Sequence, residues 1–211
     1  MLPADELYFI AHDDRGHPRT HDRAVDLGLA TALLGELVLD GPVTVHNGRL
    51  GILDGPPPDD ALAHTVLEQL TAQQQCRQVR IWLALLAGWS FDAVGERLER
   101  QGLVTRTKKR WGRTTRYVPV DVDLAAVPAN RLRRRLACDM PVAVADGLLF
   151  GLVSHTGLAG VVLRDAPASS HQAMSVIVDA LPLPLRELVA CLGAAVPAAT
   201  SEHRAVMTLA R

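Results

Sequence analysis

The chain has 211 residues, 48% of them hydrophobic and 21% charged, with a formal net charge of −1. That length and apolar content can bury a full core and favour one domain over residues 1–211, against a disordered or fibrous chain. The near-zero charge excludes binding of nucleic acid by overall electrostatics, so any anion site must be a local patch.

In chain order, Leu2–Ala11 reads as a short helix, with Pro3 in its first turn and Asp5 and Glu6 at the end a helix dipole favours for acids. Those acids interrupt the apolar run, so no signal peptide is expected. A polar turn, DDRGHPRTHD, leads into Asp22–Asp40, where Leu29, Leu33, Leu34, Leu37 and Val38 fall on one helical face. Gly41-Pro42 stops that helix. Val43–Val45 and Arg49–Leu53 flank His46-Asn47-Gly48, a tight-turn hairpin signal. GPPPDD is a stiff linker whose aspartates can cap the next helix. Helices are expected at Ala61–Thr71, at Val79–Ala87 around Trp82, and at Phe91–Gln101, closed by Gly102.

Leu103–Thr107 and Arg116–Val122 read as two strands around a basic tip, KKRWGRT. Pro128–Cys138 follows as a basic amphipathic helix. From Val142 onward charges thin out, and Val142–Ser154, Leu158–Leu163, Ser170–Leu181 and Pro184–Thr208 are expected as helices of a buried bundle. The longest apolar runs, such as Leu148–Val153, look too short to span a bilayer, so any membrane contact is expected at the surface. Cys76, Cys138 and Cys191 fit neither a disulfide framework nor zinc spacing and are expected as buried reduced thiols, as in a cytoplasmic protein.

The densest chemistry lies in RTKKRWGRTTRY. Arg106, Lys108, Lys109, Arg110, Arg113 and Arg116 surround Trp111 within eleven residues. A hairpin of this content can set basic groups on lipid phosphates, with the tryptophan at interfacial depth. It could equally be a contact in a homo-oligomer through 104–117, or a solvated tip. The preceding helix and this hairpin also look like the last helix and wing of a winged-helix DNA-binding domain. However, Asp92 and Glu96 would meet phosphate or base edges unfavourably, so nucleic acid is not the expected partner. In RLRRRL, Arg131, Arg134 and Arg135 share a helical face, either a second anion contact or a solvated face over buried Leu132 and Leu136.

His12, His17 and His21 share one turn with Asp13, Asp14 and Asp22, which reads as a polar loop more readily than as a metal site. Ser154-His155 and Ser170-His171 are adjacent pairs, whereas nucleophile and base need spatial proximity. GxSxG, P-loop and GxGxxG patterns are absent. No catalytic residue, metal or cofactor is expected. The Arg/Ala/Leu/Gly/Pro-rich composition, with lysine only at 108 and 109, suggests a GC-rich bacterial genome.

Three segments, LATALLGELVLDG, RIWLALLAG and ERLERQGLV with its following hairpin, resemble the Golgi phosphoprotein 3-like family. Its eukaryotic members are peripheral Golgi proteins that bind phosphatidylinositol 4-phosphate. The resemblance implies a mainly α fold, a compact helical bundle with short β-hairpins projecting from it, without enzymatic activity. It places the tryptophan of the lipid-binding members' headgroup pocket at His21, one arginine at Ala30, and two more near Gly88 and Phe91. None of these positions carries the family residue. Arg19, His21 and Arg23, beside the basic hairpin, are the candidates for a replacement anion site. The expected setting is cytoplasmic, at the inner face of a membrane.

Overall fold

The computed structural model describes residues 1–108, 115–138, 140–164, 166 and 169–209, with side chains described through residue 201 except that of Lys108. It is a helical bundle with two antiparallel hairpins, and its centre is α2 (Asp22–Asp40). That helix starts where the His21 ring accepts the N–H of Arg23 and ends at Gly41, whose φ of +101° returns its N–H to Leu37. Its sequence pattern suggests one buried face. Instead Leu29, Ala30, Ala32, Leu33, Leu34 and Leu37 all have 0% exposure, because neighbours cover every side. Those neighbours are α1 (Pro3–Ala11), α3 (Ala61–Ala72), α4 (Val79–Leu86), α5 (Ser90–Arg100), α7 (Val144–His155) and α10 (Leu183–Leu209). A methyl group at Gly35 would lie 2.6 Å from Leu148, so glycine is what lets α7 approach this closely.

β1 (Val43–His46) and β2 (Arg49–Ile52) pair around Asn47-Gly48, both at positive φ, as the primed turn requires. β3 (Val104–Lys108) and β4 (Thr115–Pro119) pair from Val104↔Pro119 to Lys108↔Thr115. The strand expected to reach Val122 ends at Pro119, and α6 (Val122–Ala137) begins well before Pro128, which lies inside it. The valines of VPVDV favour a strand. The Asp121 carboxylate nevertheless accepts the N–H groups of Asp123 and Leu124 and caps a helix there.

α8 (Ala159–Val162) and α9 (Ser169–Asp179) complete the C-terminal part. The reading of short apolar runs needs correction at α10. Its Leu183–Ser201 stretch is long and apolar enough to cross a membrane by length and composition, a test core helices also pass. Here Leu185, Leu188, Val189 and Leu192 are buried in the core. The three cysteines are unpaired, but Cys138 is exposed and the other two are only half-buried.

Two buried charge clusters tie the bundle together. Arg97 of α5 donates to Asp5 at 2.8 Å, to both Glu36 oxygens at 3.0 and 3.1 Å, and to Asp60 at 3.0 Å. It thereby fastens α1, α2 and the N-cap of α3 to one guanidinium. Glu36 also accepts the Ala4 N–H at 2.8 Å. Burial pushes the Glu36 carboxyl up to about 7 against the pull of Arg97, and it raises Asp5 as well. In the second cluster Arg131 forks onto Glu6 at 2.8 and 2.6 Å and reaches Asp146 at 2.9 Å, while Arg135 donates to Asp146 at 3.1 Å. Arg131 and Arg135 are therefore structural ion pairs, not a second anion contact. Their acidic partners lie on α1 and α7, invisible to spacing within one helix.

Candidate functional site

The β3–β4 hairpin meets the bundle through Tyr117. Its ring lies flat on α5 at Gly95, where a Cβ would stand 2.4 Å from the ring. Its backbone carbonyl accepts the Tyr8 hydroxyl at 2.8 Å. Its own hydroxyl reaches Asp92 at 3.4 Å. Val104 at the start of β3 is also buried, and beyond it Thr105, Arg106 and Thr107 are exposed. Arg106 sits over the Tyr117 ring at 5.8 Å and faces Glu96 at 3.6 Å, a loose pair.

Of the other basic candidates, Lys108 ends β3 opposite Thr115. Lys109, Arg110, Trp111 and Arg113 lie outside the described residues. Arg116 pairs with Thr107 in β4 and lines a cavity of about 330 Å³ with His12, Asp22, Asp26 and Phe91. His21 serves as the α2 N-cap, and Arg23, half-buried, supplies the N–H it accepts. Arg19 donates Nε–H to the His12 carbonyl at 2.9 Å and lines a different cavity, which also borders His12. The structure thus brings Arg116 to the turn before α2, where Arg23 acts on Asp26 of the same cavity, while Arg19 lines the other one.

The electrostatics of the Arg116 cavity were not foreseen from sequence. Burial raises the Asp26 carboxyl to about 6, with Arg23 opposing. His12 is stacked on Tyr8 with ring centroids 4.2 Å apart, and burial lowers it to about 4. Its Nδ1 faces the Tyr8 carbonyl at 2.8 Å, so Nδ1 carries the proton of a neutral ring. Among the described lining residues one guanidinium thus faces two carboxylates and an uncharged imidazole. A phosphorylated headgroup needs several charge-assisted donors to offset its desolvation. The described residues of this lining do not supply them. Ala30, one of the positions aligned with a pocket arginine, is itself completely buried.

The N-terminal end of α5 offers an exposed carboxylate, Asp92, and a buried hydroxyl, Ser90. The Ser90 hydroxyl is buried and donates to the Asp26 carbonyl at 3.0 Å, and Asp92 faces Tyr117. A recognition helix instead needs polar groups free at that end. Among the described residues no three His, Cys, Asp or Glu side chains gather where they could hold a metal ion.

The family model for Golgi phosphoprotein 3 (GPP34) matches residues 3–196. No curated protein matches the chain.

Proposed function

Because the chain belongs to the Golgi phosphoprotein 3 (GPP34) family, we propose that it is a non-catalytic peripheral membrane protein that docks on anionic lipid through its 104–117 hairpin. The family is known for binding phosphatidylinositol 4-phosphate. The observation that carries this reading is the charge of the hairpin: Arg106, Lys108, Lys109, Arg110, Arg113 and Arg116 against Glu96 as the acid paired with its stem. Each basic residue near an anionic surface contributes about 1 kcal/mol. Trp111 suits the headgroup layer, where an amphipathic ring finds both apolar and polar surroundings.

The carboxylates around Arg116 count against a headgroup pocket there, which leaves docking to the charge of the hairpin. On this reading the protein works from the cytoplasm at the inner face of the membrane. The test is charge reversal of Lys108, Lys109 and Arg110 to Glu, read by co-sedimentation with vesicles containing phosphatidylserine. Loss of the sedimented fraction supports the proposal, and unchanged sedimentation overturns it.

A further inference from the structure

We infer that the cavity between α1, α6 and α8 is a second binding site, for an organic anion with an apolar arm, a phosphate ester being the group that matches its arginines. The hollow measures about 410 Å³. It exists because α6 turns Ala125, Ala126 and Ala129 toward it, and residues this small leave room between the helix and its neighbours. Phe9 and Val161 form apolar walls.

Three arginines border this hollow: Arg19, Arg133 and Arg164. Arg164 is exposed and makes no ion pair or hydrogen bond among the described residues. Arg19 spends Nε on the His12 carbonyl and makes no ion pair there. Arg133 donates its Nη groups to Asn130 at 2.7 Å and to the Val161 carbonyl at 3.0 Å. Its Nε is the one buried side-chain nitrogen or oxygen without a hydrogen-bond partner among the described residues. A buried donor left this way is costly and calls for an acceptor. A small turn of the guanidinium, breaking the exposed Asn130 contact, would offer that edge to an oxyanion.

The acids beside the arginines do not cancel them. Asp13 is committed to its own turn, accepting the N–H groups of Arg15 and His17 at 2.9 and 2.7 Å and facing the His17 ring at 3.3 Å. Among the described lining residues Asp13 and Asp14 together still leave the three guanidinium groups one positive charge in excess. Arg133 and Arg164 also line an adjoining hollow of about 350 Å³ with Leu136 and Val162. The arginines therefore stand between two partly apolar spaces, one able to take the arm of a ligand whose anionic end they hold. The site meets the hairpin at Pro119, the end of β4, away from its basic side chains, and does not depend on the membrane reading.

Calorimetric titration of the full chain without membranes tests it, using inorganic phosphate, phenyl phosphate and monomeric dihexanoyl phosphatidic acid as probes. Binding of either ester at least about tenfold tighter than inorganic phosphate supports the proposal. A preference for phenyl phosphate assigns a free metabolite as the natural source, and a preference for the phosphatidic acid assigns a lipid. Arg164→Gln, at an exposed unpaired residue, should weaken the ester about tenfold. Ala126→Phe should fill the hollow and abolish binding, while Arg80→Gln, at an exposed residue of α4 that lines neither hollow, should leave it unchanged. No binding by the native chain, inorganic phosphate bound as tightly as the esters, or ester binding indifferent to Arg164→Gln and Ala126→Phe would each overturn it.

Discussion

The hydroxyl of Tyr8 donates a 2.8 Å hydrogen bond to the backbone carbonyl of Tyr117, joining the first helix to the second hairpin. The Tyr117 ring completes the joint by lying on Gly95. The hairpin that carries the densest run of basic residues is thus held to the bundle at this aromatic residue and at the buried Val104 of β3, while Thr105, Arg106 and Thr107 stay exposed.

Gly95→Ala should loosen this joint. The added methyl would meet the Tyr117 ring at 2.4 Å. We expect a destabilisation of about 1–3 kcal/mol by urea denaturation and faster proteolysis within 104–119. Tyr8→Phe should cost about 1–2 kcal/mol, because it leaves a buried carbonyl short of its donor. Native stability and native proteolysis in both variants would refute the anchor.

Arg97 should be the least replaceable charged residue. Arg97→Ala strands the Asp5 and Glu36 carboxylates in the core, and breaking such a cluster from one side costs about 3–5 kcal/mol. Glu36→Gln keeps the shape and one acceptor for Arg97, so it should cost less than about 2 kcal/mol. The Glu36 carboxyl titrates near 7 when folded, above its ordinary 4.5. Its contribution is therefore complete below the ordinary value and is lost as pH rises through about 7. Glu36→Gln should remove that slope from a series of urea melts.

His12 works in the opposite direction. Burial lowers it from 6.5 to about 4. Between those values the unfolded chain binds the proton and the folded chain does not, so stability is complete above 6.5 and falls as pH drops toward 4. Relative to His12→Gln, the native chain should lose about 2 kcal/mol between pH 7 and pH 5. Parallel pH profiles for the two proteins would show that the His12 ring does not carry this shift.

Much of the helical order was legible in the sequence. The leucine spacing of α2, the Asn-Gly turn between β1 and β2, and the Gly102 stop after α5 are local signals, and local signals survive folding. The start of α6 was not, because the β-forming valines around Asp121 hid a helix cap. Nor was the Arg97 cluster, whose acids stand at positions 5, 36 and 60 with no spacing rule to connect them. The RLRRRL run read as an anion contact or a solvated face because its helix alone gives no sign of Glu6 and Asp146 opposite. At the candidate site the basic hairpin was readable from composition. The carboxylates at Asp22 and Asp26, which set the character of the Arg116 cavity, needed the fold.

The most direct test of the account is sedimentation with three vesicle sets: neutral, phosphatidylserine-containing, and phosphatidylinositol 4-phosphate-containing at matched surface charge. The account predicts no binding to the first and equal, salt-sensitive binding to the other two, since the proposed docking is by charge and the described residues of the Arg116 cavity lack the donors for a particular headgroup. Binding confined to phosphatidylinositol 4-phosphate, or absent from every vesicle, would contradict it.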